Sequence, residues 1–416
     1  MASEFRLGWK PLAAATIGVA CGASPIPFNV LPIVIGPMNE DLGWSFAEIS
    51  IGITIYGIVG ALLAPVIGAL VDRHGVKPVA LASLALFGVA FAAMFFVPKY
   101  LPAYFLLCAV IGAVGIGSTP VSWSRAISMW FEANRGLALG ILLLGTSLAA
   151  LVVPQIGDYV LERSSWRSVF PAVALLPLLV ALPLTFLFFR EPKPHELPVS
   201  ADGTSTVRSG LTRAEALRSP RFYILYASVC LVALAYGGAH IHIIQIITLK
   251  GFDRSFAADV LSVVALGIFA GRILVGLLFD RFWAPGIAFP VLLLPVLSCL
   301  ILISDGTGAT AILIAGFCLG FAAGAESDII AFMAARYFGM REYGRIYGLL
   351  YMPFGIFASI SPLLYGEVRD RTGSYDPVLQ VAMVLFFIGG VILLFMGRYP
   401  PLPAVEPVHD DKAITA

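Results

Sequence analysis

The stretch GALVDRHG at residues 68–75 has a counterpart 208 residues later in the chain, GLLFDRFW at 276–283. Each copy begins with an apolar run that leads into an aspartate followed by an arginine. The aligned pairs are Asp72 with Asp280 and Arg73 with Arg281.

A second pair of stretches repeats at almost the same offset. MWFEANRGLALG at 129–140 matches RYFGMREYGRIYG at 336–348, with one residue inserted. Two correspondences at nearly one offset favour a duplication over chance similarity, because internal repeats are recognised by a fixed period. We therefore predict two related halves.

The composition is that of a membrane protein. Of the 416 residues, 59% are hydrophobic and 12% are charged, and that charged fraction is roughly half that of an ordinary soluble domain. Apolar stretches of about 20 residues, long enough to cross a bilayer, recur along nearly the whole chain. Proline inside them, as at Pro25 and Pro27, predicts kinks rather than breaks. The predicted spans are 11–37, 47–71, 79–97, 103–130, 137–160, 168–189, 223–249, 256–279, 285–304, 309–335, 344–367 and 378–397.

These spans and the duplication predict an all-α membrane protein, with twelve transmembrane helices in two pseudo-symmetric six-helix bundles. The longest polar segment lies almost at the midpoint, and its LTRAEALRS stretch has a capping-box pattern that predicts a short surface helix. The predicted division is an N-terminal bundle at 1–190, a cytoplasmic central loop at 191–222, a C-terminal bundle at 223–398 and a cytoplasmic tail at 399–416.

The distribution of lysine and arginine predicts the orientation. With the N-terminus in the cytoplasm, the inner loops and tails carry 17 of the 26 basic residues and the outer loops carry seven, while Arg125 and Arg272 lie inside spans. The positive-inside rule then places both termini in the cytoplasm. The apolar stretch after MASEFRLGWK is too long for a signal peptide, so we interpret it as a retained first helix. We expect an integral protein of the cell (inner or plasma) membrane.

The fragment GALVDRHGVKP (68–78) resembles the signature of the major facilitator superfamily, and GLLFDR (276–281) resembles its copy in the second half. A narrower resemblance is to the monocarboxylate porter and oxalate/formate antiporter group. It implies uptake or exchange of carboxylate anions, with an arginine of the eighth span, here Arg272, holding the carboxylate. Animal members of that group have a lysine in the first span and an aspartate one turn before this arginine. Here the first span, 11–37, has no lysine, and Ile268 occupies the position of the aspartate. The residues that carry the narrower resemblance are DLGWSFAEIS (41–50), WFEANRGLALGILLLGTS (130–147), GAESDIIAFMAARYFGMREYGRIYG (324–348) and Arg272.

Arg272 is the first candidate for substrate binding. An uncompensated arginine at the centre of a membrane helix costs about 2.5–3.5 kcal/mol on insertion scales. Arg272 lies just past the middle of its span, where its side chain reaches neither surface easily. Its planar fork of donors suits a carboxylate in bidentate geometry. The alternative is a structural ion pair with an acid of the tenth span.

Glu326 and Asp328 are the candidate proton-coupling residues. Both lie at a depth similar to that of Arg272, and their i, i+2 spacing points them to different faces of the tenth helix. We hypothesise that the empty site pairs Arg272 with one of these acids. An arriving carboxylate then takes over the arginine and the released acid gains a proton, so that anion and proton cross together.

Three further residues are predicted to bind substrate: Asn29, His242 and Tyr351. Asn29 follows two prolines near the midplane and is either a cavity donor or a helix-to-helix hydrogen bond. His242 and its neighbour His240 project on different faces of the seventh helix, and the alternative for either one is a packing histidine. Tyr351 belongs to an aromatic stripe at helical spacing, which is usually packing, on a helix that borders the cavity in this fold.

The repeated charges Asp72, Arg73, Asp280 and Arg281 are predicted gating residues. An acid at a helix end can pair with a base on the neighbouring bundle when the inner side is closed, and lose that partner when it opens. The alternative is solvated loop charge.

The function that the sequence favours is proton-coupled symport of small carboxylates by alternating access. The alternatives are an organic anion exchanger or exporter, or a non-transporting receptor of the same fold; sugar porters and multidrug exporters are weaker candidates. The chain has no nucleotide-binding P-loop and no recognisable catalytic group of nucleophile, base and orienting acid, so we expect neither a pump nor an enzyme. The five cysteines fall in spans at unrelated spacings, which argues against a metal site or a disulfide framework. We expect no cofactor, no nucleic-acid partner and a monomer whose partners are the substrate, protons and lipid.

Overall fold

The computed structural model describes residues 2–192 and 209–401, and these residues are almost entirely helical. Residues 193–208 of the predicted central loop and 402–416 of the predicted tail lie outside the described residues. The N-terminal half contains α1 (Ala2–Ala20), α2 (Ile26–Leu42), α3 (Phe46–His74), α4 (Val76–Ala92), α5 (Leu101–Gly115), α6 (Pro120–Trp130), α7 (Arg135–Arg163), α8 (Trp166–Leu175) and α9 (Leu182–Phe188). The rest contains α10 (Arg213–Arg218), α11 (Pro220–Ile241), α12 (Ile243–Leu249), α13 (Arg254–Arg281), α14 (Ala284–Ile303), α15 (Ala309–Phe338), α16 (Tyr343–Thr372) and α17 (Asp376–Leu394).

Eleven stretches of helix are long and apolar enough to cross a membrane, and they correspond to the second to twelfth predicted spans. Three of these spans consist of consecutive helical pieces, for example Trp166–Phe188, which contains α8 and α9. The seventh predicted span, 223–249, is also divided, because α11 and α12 meet at His242. The first predicted span, 11–37, consists of α1 and α2, neither of which alone meets the criteria of length and composition. Eleven of the twelve predicted spans thus have a helix that could cross a membrane, and the first is divided between α1 and α2.

The first span is broken, which corrects the expectation of a simple kink. Helical structure stops after Ala20 and resumes at Ile26, because Pro25 and Pro27 have no N–H to continue the hydrogen-bond ladder. Other helices satisfy the freed backbone groups, as a membrane interior requires. The N–H of Ala23 donates to Ser118 Oγ at 3.0 Å, and its carbonyl accepts from the Tyr56 hydroxyl.

The duplication is visible in the helix boundaries. Four helices of the N-terminal half, α3, α4, α5 and α7, begin at residues 46, 76, 101 and 135. Their counterparts α13, α14, α15 and α16 begin at 254, 284, 309 and 343, each 208 residues later. The offset read from short motifs therefore holds for the architecture of both halves.

Two seams join the halves: α3 packs on α16, and α13 packs on α7. Small residues allow these backbones to approach closely. A Cβ atom at Gly68 would overlap the carbonyl oxygen of Gly344 in the first seam, and one at Gly136 would overlap that of Gly276 in the second. These two pairs also correspond at the offset of 208, so the seams are equivalent. We call the end of the bundle where Asp72 and Asp280 lie the signature end.

The segment just before α11 packs at the signature end. The predicted capping box is present, because Thr212 and Glu215 exchange side-chain and backbone hydrogen bonds at the start of α10. Those hydrogen bonds from Thr212 lower the pKa of Glu215. The preceding backbone pairs with the α15–α16 loop: Leu211 N–H donates to Phe338 O at 2.7 Å and Met340 N–H donates to Ser209 O at 2.9 Å.

Candidate functional site

A cavity of about 770 Å³ lies between the two halves. It is lined by α2, α3 and α7 of the N-terminal half and by α11, α13, α15 and α16 of the C-terminal half. On α13 the lining extends from Leu261 to Arg272 and excludes the residues nearer the signature end. The seams close the bundle beyond that level, so the cavity has its floor at Arg272.

Arg272 forms part of this floor and is only 7% exposed. Its Nη1 donates to the carbonyl oxygen of Leu143 on α7 at 2.6 Å, which ties the guanidinium to the opposite half. Its Nε is buried and has no hydrogen-bond partner among the described residues. The arginine therefore has an uncommitted buried donor beside the cavity, as an anion site requires.

Glu326 and Asp328 point to different places, as their spacing predicted. Glu326 lines the cavity, whereas Asp328 does not and is completely buried. Asp328 faces α7, where a Cβ atom at Gly140 would lie 3.8 Å from Oδ2. Both oxygens of Asp328 and Oε1 of Glu326 lack hydrogen-bond partners within the described part of the chain.

The predicted ion pair between Arg272 and one of these acids is absent from the described residues. Arg272 reaches the Leu143 carbonyl instead, on the side of α7. Asp328 nevertheless lies near Arg272, because a Cβ atom at Gly140 would be 2.5 Å from the Arg272 carbonyl oxygen and 3.8 Å from Asp328 Oδ2. The hypothesis of direct pairing in the empty site is therefore replaced by coupling over a longer distance.

Asn29 and Tyr351 lie where the sequence analysis expected them, in the cavity lining. Asn29 Nδ2 donates to the carbonyl of Pro25 at 2.8 Å, so one N–H of its amide serves the broken first span. Tyr351 is 9% exposed, packs between the tilted rings of Tyr347 and Phe354, and has its hydroxyl beside Ser24 of the opposite half. Both residues combine a structural contact with a place at the cavity wall.

His242 lies outside the cavity lining, which differs from the expectation. It is the residue between α11 and α12, and its ring nitrogens lie 3.1 Å from Pro362 O and 2.9 Å from the Tyr375 hydroxyl. His240 lines the cavity instead, together with Tyr236 one helical turn earlier. Side chains two residues apart on a helix point to different faces, so His240 faces the cavity while His242 points away from it.

The signature acids make reciprocal contacts across the seams. Asp72 on α3 accepts the backbone N–H groups of Gly344 and Arg345 at 3.0 and 2.9 Å, at the start of α16. Asp280 on α13 accepts those of Gly136 and Leu137 at 2.6 and 3.0 Å, at the start of α7. A carboxylate at a helix N-terminus satisfies free N–H groups and interacts favourably with the helix dipole.

These contacts change the expected pairing of the gate. The partner of each acid across the seam is a helix N-terminus and not a basic side chain. Arg73 and Arg281 are exposed to solvent. Arg125, which the sequence placed inside a span, pairs instead with Asp72 at 3.0 Å and with Glu191 at 3.2 Å.

A third carboxylate, that of Glu4, binds the loop just before the N–H groups of α7 that bind Asp280. Glu4, which precedes the first predicted span, accepts the N–H groups of Glu132, Ala133 and Asn134 and the Asn134 side-chain amide, all within 2.8–3.2 Å. Burial raises the pKa of Glu4, but these hydrogen bonds together outweigh it and leave the pKa lowered. The loop before α7 is thereby fixed to the start of α1.

No group of three or more histidine, cysteine, aspartate or glutamate side chains that could hold a metal ion occurs in residues 2–192 and 209–401. All five cysteines are free thiols, and four of them are buried.

Comparison with known proteins supplies the family. A family model described as Major Facilitator Superfamily matches residues 17–362. The hexuronate transporter of Escherichia coli (strain K12) is 23% identical over 434 residues, covering 98% of each chain. Monocarboxylate transporter 13 of Rattus norvegicus is 24% identical over 362 residues, covering 85% of this chain and 79% of that protein. Among solved structures, the human organic anion transporter MFSD10 (TETRAN) superposes with a TM-score of 0.73 at 15% identity, covering 94% of this chain and 100% of that one.

Proposed function

The chain belongs to the Major Facilitator Superfamily, and from this premise we propose that it carries small organic carboxylate anions of the monocarboxylate type across the membrane together with protons. Its family is one of membrane transporters and not of enzymes, as the sequence predicted. Binding occurs in the cavity between the two halves, and the halves rock about it to alternate access.

The observation that carries this proposal is the buried Arg272 at the floor of that cavity. A guanidinium that is only 7% exposed needs a partner for its free donors, since an unpaired buried charge is strongly unfavourable. A carboxylate supplies two acceptor oxygens in the matching plane. The Leu143 carbonyl occupies Nη1 and leaves Nε uncommitted, so the arginine has capacity for an incoming anion.

The relatives support an anionic substrate. Hexuronates and monocarboxylates, named for two of them, both carry a carboxylate, and the third comparison names an organic anion transporter. A buried positive charge in the cavity disfavours cationic drugs, and few side-chain amides line it, which disfavours neutral sugars. Asn29 and Tyr351 are the proposed further contacts to substrate.

Glu326 and Asp328 are the proposed proton carriers. Neither has the hydrogen-bond donors that would hold a buried carboxylate as an anion, so the neutral acid is the favoured form in this state. Glu326 meets the substrate cavity, while Asp328 lies against α7 and becomes accessible only when the seams part. For a monoanion, cargo and proton together are neutral, so the transport rate should follow the pH gradient and respond little to voltage.

We further propose that residues 1–190 and 223–398 move as units, with Asp72 and Asp280 releasing their helix N-termini when the signature end opens. His242 remains a candidate for substrate binding only after such a rearrangement. The excess of lysine and arginine in the predicted inner loops supports a cytoplasmic signature end, in a monomer of the cell membrane with both termini inside.

Binding of organic acids to the purified protein tests the carboxylate site. Arg272→Ala removes at least two charge-assisted hydrogen bonds of about 1.5–3 kcal/mol each, so affinity should fall by at least roughly 100-fold. Arg272→Lys should also bind weakly, because a lysine cannot form the planar fork. Arg281→Lys, at an exposed arginine on the same helix, is the matched control and should bind normally. Retained binding by Arg272→Ala would refute the proposed site.

Uptake into proteoliposomes separates the alternatives. Symport requires that an imposed pH gradient drives accumulation and that its collapse abolishes accumulation. An exchanger instead shows uptake that depends on anion loaded on the other side and is unchanged when the pH gradient collapses. A receptor binds the acid and moves none.

A further inference from the structure

The cavity contains a second polar group besides Arg272, formed by Tyr236 and His240 on α11. Their rings stack with centroids 5.4 Å apart and 21° between their planes. The Tyr236 hydroxyl lies 3.1 Å from His240 Nδ1. The i, i+4 spacing brings the two side chains together on one face of the helix, so the pair is held in a fixed arrangement at the cavity wall.

This arrangement leaves one nitrogen of the imidazole for a ligand. A neutral histidine has one donor and one acceptor nitrogen, and Nδ1 is occupied by Tyr236. Nε2 has no hydrogen-bond partner among the described residues. If Tyr236 donates to Nδ1, Nε2 is a donor; in the opposite tautomer Nε2 is an acceptor. A ligand hydroxyl both donates and accepts, so it matches either form.

The pair places the second site on the side of the cavity away from Arg272. Tyr236 lines the same cavity as Arg272 and Glu326. His240 is four residues further along α11, about 6 Å nearer the end of the bundle opposite the signature end. The imidazole therefore lies toward the end of the cavity opposite its floor at Arg272.

Part of the cavity wall is apolar. Ala233 and Gly237 on α11 add little bulk, and Ile268 and Phe354 contribute hydrocarbon from α13 and α16. The cavity volume of about 770 Å³ is within the range of about 300–1,000 Å³ for pockets that hold drug-sized ligands. An acid of two or three carbons would leave much of this space unfilled, whereas a ring would occupy the apolar part.

We propose that Tyr236 and His240 form a specificity site for a hydroxyl group at the far side of the substrate, so that the preferred substrates are hydroxylated aromatic carboxylates or acids of similar length. His240 Nε2 binds the hydroxyl, Tyr236 positions the imidazole, and the apolar wall contacts the ring. This inference rests on the proposed function, because Arg272 must hold the carboxylate at the other end.

Calorimetric titration of the purified full chain with benzoate and 4-hydroxybenzoate tests the proposal. The two acids differ only in the hydroxyl, which the ring separates from the carboxylate by a distance comparable to one helical turn. One neutral hydrogen bond contributes about 0.5–1.5 kcal/mol, so the wild type should bind 4-hydroxybenzoate roughly 2- to 12-fold more tightly.

Variants separate specificity from folding. His240→Phe retains an aromatic ring beside Tyr236 but removes Nε2, so the preference should fall to about one while the affinity for benzoate changes little. His240→Gln restores a donor and an acceptor and should recover part of the preference. Tyr236→Phe frees the imidazole and should weaken the preference without abolishing benzoate binding.

Three results would overturn the inference: equal affinities in the wild type, a preference that survives in His240→Phe, or binding of short acids with no binding of either aromatic acid. In each case carboxylates still bind and the proposed function stands. If no carboxylate of any size binds, the proposed function fails and this inference fails with it.

Discussion

Replacing Asp280 by asparagine tests what holds the signature end closed. The Asp280 carboxylate accepts the N–H groups of Gly136 and Leu137 at the start of α7, at 2.6 and 3.0 Å. Asparagine keeps the shape of the side chain and one acceptor oxygen but loses the charge. A hydrogen bond to a charged group contributes about 1.5–3 kcal/mol, against about 0.5–1.5 kcal/mol for a neutral one.

The expected effect is large enough to measure as a change of population. The two N–H groups bind different oxygens of Asp280, so asparagine loses one hydrogen bond to a charged group, about 1.5–3 kcal/mol, and weakens the other by about 1–1.5 kcal/mol. With a helix-dipole contribution of about 0.3–1 kcal/mol, the closed state is weakened by about 3–5 kcal/mol. Because 1.4 kcal/mol corresponds to a factor of ten, the ratio of closed to open molecules should fall roughly 100- to 4,000-fold.

Electron–electron double resonance between nitroxide labels at positions 73 and 341 measures this change. Both positions are exposed and belong to opposite halves beside the α3–α16 seam, so the labels report movement of the halves and not a local change near Asp280. The five native cysteines must be replaced first. Arg281→Gln is the control, since it removes an exposed charge next to Asp280. A distance distribution that is the same in Asp280→Asn and in this control would refute the reasoning.

Two further predictions concern the same end of the bundle. Gly68→Ala should shift the distances between labels at 73 and 341 toward longer values, because the added Cβ would overlap the carbonyl oxygen of Gly344. Gly36→Ala is the control and should leave the distances unchanged, since no heavy atom lies within 4 Å of its added Cβ. Equal behaviour of the two variants would contradict close packing at the seam. Glu4→Gln should lower stability at pH 7 by about 1 kcal/mol, as the loss of a cap does, measured by thermal unfolding in detergent. Since folding lowers the pKa of Glu4, its stabilising effect is complete above the ordinary glutamate pKa and is lost as the pH falls through the lowered value. The wild type and the variant should therefore converge in acid, and a difference that stays constant would exclude this role.

Much of the fold could be predicted because it depends on features written in the sequence. The spans follow from apolar length, and the offset of 208 between GALVDRHG and its counterpart also separates the starts of α3 and α13. The break after Ala20 could not be predicted from the prolines alone. It depends on Ser118 and Tyr56, which lie on other helices and supply the missing hydrogen bonds.

The candidate site was predictable in part. A buried arginine is conspicuous, so Arg272 could be found, and the i, i+2 spacing of Glu326 and Asp328 showed that only one of them would meet a cavity. To choose between His240 and His242, one must know which face of α11 is turned toward the cavity. The sequence does not show this, because α11 is apolar on all faces. Tyr236 could have been found from its position four residues before His240.

The partners of the signature acids could not be read from the sequence for a different reason. Asp72 and Asp280 bind backbone N–H groups, and these carry no side-chain identity. The motif at 129–140 and its repeat at 336–348 contain the starts of α7 and α16. The sequence does not identify these helix starts as the partners, because the expected partner of an acid is a basic side chain.

The reciprocal seams do not need the two halves to be one polypeptide. Each half presents an acid and a helix N-terminus, so two separate copies of a six-helix chain, related by a two-fold axis, could form both contacts as an isologous interface. Arg272 differs in this respect. Its counterpart at the offset of 208 is Ala64, which is also buried in a seam against glycine. A symmetric dimer would place two arginines in the cavity or none, so a single positive charge there requires two halves of different sequence.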